Sequence, residues 1–436
     1  MIRIASRVPD PPVRRLTATL YGYAFLSDLV LLYPLYVVFF ADTGLSVGQI
    51  SSLFVIWSAA GILFEVPSGA WADVVSRRLL LCLAPLVTAT GYALWVVLPS
   101  YLAFAVGFLL WGAGGALVSG ALEALVWTEL DRLGAVDRFA RVLGRARTAG
   151  VLGVVASGVL AGPVLAAGGY PAVAVASVLA CLLAALVAAR LPEHRPPPVG
   201  PTRPPAVGSA RPPDVESAGA PAERDDGDGG LGWWETLRAG VTQVRTRPPV
   251  RGAVLLVAVV AADWGALDEF TPLLALDTGV GAQVVPLLLL LLWAGVTIGG
   301  LLAPVGERLS RLGYAALLGL VGVALAGGAL LRHPAGFVLL AVAFGAAQLA
   351  TVLADTRLQA RITGDSRATV TSLAGMATDV LIIGTYAGFG LLATVAGTSV
   401  AFAVTAGPYL LVGLVLLTRR RRGAAVPTGG TASGPD

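Results

Sequence analysis

Apolar stretches about twenty residues long recur along almost the whole chain, and that recurrence limits the possible folds more than any motif does. In hydrocarbon every backbone amide must be satisfied within its own helix or in a closed barrel. A spanning helix needs roughly 20 mostly apolar residues. Twelve such stretches are legible, at about 16–40, 50–70, 79–98, 101–127, 147–168, 171–189, 252–275, 282–303, 313–331, 336–354, 368–395 and 399–418. None has the alternating pattern of a barrel strand, about ten residues long. With 56% of its residues hydrophobic and 13% charged, the chain is neither a soluble domain nor a disordered one. The expected fold is an all-α integral membrane protein of twelve transmembrane helices.

The basic residues orient these helices. All are arginine, and every one except Arg332 falls at the same end of the successive turns once Arg14 and Arg15 are assigned to the cytoplasm. Turns on that side hold Arg77, Arg78, Arg138, Arg141, Arg145, Arg147, Arg308, Arg311, Arg357, Arg361 and Arg367. Opposite turns such as "ADTGLSVGQ" and "GGYP" hold none. This asymmetry is the positive-inside pattern, and it places both termini in the cytoplasm. The first apolar segment lacks a cleavage site and reads as a retained span. Cys82 and Cys181 lie far apart in apolar segments, His194 falls in a linker and His333 in a far-side turn. No metal-ligand cluster and no cofactor motif is present.

Composition also divides the chain into two halves. A tail of residues 1–13 precedes a six-helix bundle, 14–190. The linker 191–250 begins with a proline-, glycine- and charge-rich stretch, 191–230, which is expected to be disordered. It ends in "LGWWETLRAGVTQVR", where Trp234, Leu237, Val241 and Val244 recur at helical spacing. That pattern predicts an amphipathic helix over about 231–246, lying on the inner membrane surface. A second six-helix bundle, 251–418, and a disordered tail, 419–436, complete the chain. Duplicated halves place a substrate site between them near the bilayer midplane.

An ionisable side chain within a span costs roughly 2.5–3.5 kcal/mol on insertion scales, so each calls for a reason. Counting along the helices at about 1.5 Å per residue, Asp28, Asp263 and Asp379 fall near mid-depth. Glu65 and Glu123 sit in the inner third of neighbouring helices, where they could share one proton. Asp268 and Glu269 lie towards the outer end of the seventh span. No arginine is counted at depth beside these acids. Carboxylates buried without a cation are suited to binding and releasing protons, and Trp264 beside Asp263 offers a ring face to a cation. Asp28, Asp263, Asp379, Glu65, Glu123 and Trp264 are therefore the candidates for proton or substrate binding.

Between the second and third spans runs "FEVPSGAWADVVSRR". Gly69, Asp73, Arg77 and Arg78 fit the Gly-x-x-x-Asp-x-x-Gly-Arg-Arg/Lys signature of the major facilitator superfamily, with Ser76 in place of the second glycine. The resemblance implies that this cluster latches the two halves at the inner face, with Asp73 near Arg367. On the fifth span, Gly158-x-x-x-Gly162-Pro163 is similar to the motif of antiporters in that superfamily, although the closing Gly168-Gly169 pair comes two residues late. The arginine that such antiporters carry on the fourth span is Phe108 here, and Pro304 replaces the aspartate of the second half's latch.

The resemblance covers about residues 14–418. It implies a monomeric multi-pass transporter of a bacterial cytoplasmic membrane that is not an enzyme, needs no cofactor or metal, and binds no nucleic acid. The expected partners are the lipid bilayer, protons and a small lipophilic compound, cationic or neutral, exported in exchange for protons. Import or uniport of a neutral molecule is the alternative. A non-transporting receptor or scramblase is the reading from another class.

Overall fold

The computed structural model describes residues 11–194, 233–362 and 367–423, without the side chains of 65–74, 233–237, 239, 368 and 419–423. Most of the expected disordered linker and tail therefore lies outside the described residues. The first half comprises α1 (Pro11–Asp28), α2 (Tyr36–Asp42), α3 (Val47–Val74), α4 (Arg77–Val97), α5 (Tyr101–Val118), α6 (Ala121–Arg132), a 3-10 turn (Val136–Arg138) and α7 (Phe139–Ala188). After α8 (Trp233–Thr246), the second half contains α9 (Pro248–Asp268), α10 (Thr271–Asp277), α11 (Val285–Leu301), α12 (Ala303–Gly306) and α13 (Arg311–Leu330). It ends with α14 (Gly336–Gln359), α15 (Arg367–Ala396), α16 (Thr398–Thr405) and α17 (Gly407–Gly423). The described residues form no strand.

Nine described stretches are long and apolar enough to cross a bilayer, against the twelve expected. The difference has local causes. The first expected span is interrupted between Asp28 and Tyr36, so neither α1 nor α2 crosses alone. Two expected spans merge in α7, where Gly169 at φ 66° and ψ −167° turns the chain. The apolar helix α11 is only 17 residues long.

A repeat ties these interruptions together. α2 runs into Asp42-Thr43-Gly44 and α10 into Asp277-Thr278-Gly279, with both glycines at positive φ, 90° and 84°. Asp42 accepts a hydrogen bond from Tyr170, the residue after Gly169. Asp277 bonds to Thr398, the residue after Gly397, whose φ is 84°. Each Asp-Thr-Gly thus fastens the end of a broken helix to the hairpin that begins its half's last span. Arg332, between α13 and α14, acts electrostatically on Asp277.

The core shows how the halves meet. One apolar cluster joins Phe40, Phe54 and Phe108 of the first half to Phe270, Phe389 and Phe402 of the second. Towards the arginine side each half has its own cluster, around Leu16, Leu20 and Leu130 in one and Val250, Val254 and Leu358 in the other. Helix pairs α3–α15 and α7–α11 carry the contact between halves. Glycines allow it: a Cβ at Gly158 would lie 2.8 Å from Leu290, and one at Gly162 would overlap the Gln283 carbonyl. The Gly158–Gly162 spacing on α7 therefore serves close approach to α11, while Pro163 stays exposed.

α8 packs its Gly240 against Thr369 of α15 and adds Val244 to the second half's arginine-side cluster. At the start of α4, Glu193 meets the exposed helix-start amides; the side chains of Gly69 and Asp73 lie outside the described residues, so the expected latch of Asp73 near Arg367 is not described. Glu193 accepts from the Ser76 hydroxyl and from the Arg77 and Arg78 amides, the latter two at 2.8 and 3.4 Å. The Arg77 guanidinium donates to the Ala124 carbonyl at 3.1 Å and to Thr128 Oγ1 at 2.9 Å, both in α6. A carboxylate on exposed helix-start amides is worth about 1 kcal/mol. Glu193→Ala is expected to lower the thermal midpoint accordingly, and an unchanged midpoint would remove the capping role.

Candidate functional site: a cavity between the halves

A cavity of about 930 Å³ lies between the first half and α11. It forms where α1 stops: Asp28 ends that helix, and the chain from Leu29 to Leu35 runs in turns before α2 begins. The Asp28 carboxylate borders the cavity and packs so closely on α7 that a Cβ at Gly150 would overlap it. Glu123 enters from the first turn of α6, which restarts after Gly120 at φ 74°. Tyr23, Tyr33, Tyr92, Trp111 and Trp293 provide much of the remaining wall.

Arg147 lines the same cavity, so the acids bordering it share the space with a guanidinium. The sequence placed Arg147 in a turn because apolar residues dominate only from there onward. α7 in fact begins at Phe139, so Arg147 stands about 12 Å along the helix. Asp28, Glu123 and Arg147 therefore give the cavity both signs of charge, with acids in excess.

Aromatic rings close the cavity on the far side. Tyr33 meets Trp293 of the other half at 5.8 Å between centroids, and Trp111 meets Tyr33 edge-on at 6.0 Å. Phe54 contacts Phe270 and Tyr386, each at 5.2 Å. Two hydrogen bonds also cross between halves there: the Tyr36 hydroxyl donates to Glu269, and Ser51 donates to the Tyr386 carbonyl. Glu269 and Asp268 occupy the break between α9 and α10, where Trp293 Nε1 donates to Asp268 at 3.4 Å. Oδ1 of Asp268 is buried without a partner among the described residues. Sequence reasoning assigned these two acids to the membrane margin; the helix break brings them into the closure.

Other candidates sit apart from this cavity. Asp263 is buried inside the second half and accepts from Thr385 Oγ1 at 3.2 Å. Trp264 donates through Nε1 to Thr351 at 3.1 Å and through its amide to the Tyr409 hydroxyl at 3.0 Å. Its indole is thus committed to packing within that half. Asp379 lines a smaller chamber beside the cavity. The side chain of Glu65 lies outside the described residues, so its pairing with Glu123 is not described. One register signal links the halves: Asp28 precedes Asp42, and Asp263 precedes Asp277, by the same fourteen residues.

A Major Facilitator Superfamily model matches residues 18–385. No curated protein matches the chain. Among solved structures, the nucleoside transporter NupG is similar with a TM-score of 0.67 and 12% identity, over 94% of this chain and 99% of that one. A bacterial homolog of the human lysosomal transporter Spinster, in an inward-facing and occupied conformation, gives 0.63 and 15%, over 96% and 98%. The POT family transporter PepTSo gives 0.62 and 13%, over 95% and 99%.

Proposed function

Because the chain belongs to the major facilitator superfamily, we propose that it works by alternating access, exporting a small lipophilic compound, cationic or neutral, in exchange for protons. The cavity between the halves carries this reading: far-side closure rests on side-chain contacts, while the apolar clusters of the two halves separate towards the arginine side. A rocking motion could break the first set and close the second. Two carboxylates against one guanidinium favour a cationic or neutral occupant over an anionic one. Twelve crossings of a bacterial cytoplasmic membrane, with both termini inside and a monomeric unit, complete the proposal.

Asp28 is the first residue to test, because its carboxylate borders the cavity directly. Internal pH would be followed in proteoliposomes under an imposed proton gradient while lipophilic cations and neutral compounds are added. Proton efflux triggered by one compound is the expected result. Asp28→Asn removes a charged contact of about 1.5–3 kcal/mol, so the coupled flux should fall roughly tenfold to a hundredfold. Compounds that bind without moving protons would instead indicate uniport with structural acids.

Phe108 favours import or uniport as a second reading. It stands where similar antiporters carry an arginine, and its fully buried ring lies 5.0 Å from Trp95 and stacks on Trp111 at 5.9 Å. Accumulation in vesicles with opposite proton gradients separates the two directions.

A further inference from the structure

Asp28 and Arg147 bring opposite charges to the central cavity, yet neither side chain has a hydrogen-bond or ion-pair partner among the described residues. Their relative position is set by α7. The Asp28 carboxylate lies against Gly150, where a Cβ would overlap it. Arg147 comes three residues earlier on the same helix, a spacing that puts both positions on one face with a rise of about 4.5 Å between them. Arg147 is also the single basic residue among those lining the cavity. Beyond Gly150 the wall turns apolar, with Val151, Val154 and Val155 of α7 and Leu290 of α11.

From these two unmatched charges beside an apolar wall, we propose that the central cavity takes a zwitterion with an apolar body, of the kind that an apolar α-amino acid provides. The proposal rests on the central cavity being the transport site and names the class of its occupant. The ammonium sits on Asp28, the carboxylate on the forked Arg147 guanidinium, and the apolar body along the valines. With a hydrogen bond of about 3 Å at each end, one small head group reaches both side chains. A simple cation satisfies Asp28 but leaves a like charge beside it. A simple anion satisfies Arg147 but faces Asp28 and Glu123. Glu123, the third charged residue of the wall, remains for the exchanged proton.

Equilibrium binding to the full chain in lipid nanodiscs, with empty nanodiscs subtracted, tests the proposal on three matched probes. Phenylalanine carries both charges, phenethylammonium lacks the carboxylate, and 3-phenylpropanoate lacks the ammonium. Phenylalanine should bind about tenfold or more tightly than either, since each deletion removes one charged contact. Arg147→Gln should weaken phenylalanine about tenfold and tighten phenethylammonium, because a like charge has gone. Asp28→Asn should weaken both and tighten 3-phenylpropanoate. Phenethylammonium binding as tightly as phenylalanine in the wild type would overturn the proposal, as would an Arg147→Gln protein that weakens the two equally. If a variant fails to fold, the three probes on the wild type decide. Saturable phenethylammonium binding that Asp28→Asn weakens, without any preference for phenylalanine, would overturn the zwitterion and leave the central cavity as the site. No saturable binding of any probe would overturn both.

Discussion

Gly299→Ala should destabilise the protein by about 1–3 kcal/mol, the usual range for forcing an extra methyl into a close-packed interface. At the contact between α11 and α14, backbone meets backbone. A Cβ at Gly299 would overlap the Gly345 carbonyl, one at Gly295 would overlap that of Ala341, and one at Gly345 would fall 2.5 Å from that of Gly295. In a bilayer, helices associate through such close approach because lipid is as apolar as a leucine side chain. The two backbones can relieve the overlap only by moving apart, which strips contacts from the whole glycine seam. Gly300 is the internal control, since a Cβ there would have only Gln348 Nε2 nearby, at 3.9 Å. Thermal unfolding in detergent should therefore show a lower midpoint for Gly299→Ala and an almost unchanged one for Gly300→Ala. Equal midpoints would mean that the seam is not tight. Because α11 also carries Trp293 to the closure, the same change should loosen the far side of the cavity.

The hydropathy pattern and the one-sided arginines led to an all-helical membrane protein, because both are one-dimensional signals. The family came from the resemblance of the Gly69–Arg78 stretch. What stayed hidden depends on where helices break. Nothing between Leu29 and Leu35 looks unlike a continuous apolar span, so Tyr33 and Tyr36 were not placed at a closure. The Asp-Thr-Gly repeat at Asp42 and Asp277 could have marked both interruptions, since each glycine takes a positive φ. Counting from an assumed helix start put Arg147 in a turn when it stands inside α7. Counting depth put Asp263 and Asp28 together near mid-depth, and it could not show that Asp263 is buried within its half while Asp28 borders the cavity. Glu193 was hidden for another reason: its partners are backbone amides more than a hundred residues away.

Among side-chain changes, Tyr36→Phe should shift the conformational equilibrium most. Tyr36 and Glu269 are almost fully buried, at 2% and 9% exposure, and their hydrogen bond joins α2 to the break after α9. Removing the hydroxyl leaves a buried carboxylate short of a donor, at a cost of about 1–3 kcal/mol. Only the closed arrangement bears that cost, because separating the halves returns Glu269 to water. The far-side-open population should therefore rise roughly fivefold to a hundredfold. Spin labels at Ser46 and Gln283, on opposite halves at the far side, would report this as growth of a longer-distance population. Glu269→Gln isolates the role of the charge. The amide can still accept from Tyr36, so closure should persist and counterflow of substrate should continue. Proton-driven accumulation should fall if Glu269 carries the coupled proton. A Glu269→Gln protein that accumulates substrate at the wild-type rate would leave Glu269 as a latch alone and return the coupling role to Asp28 and Glu123.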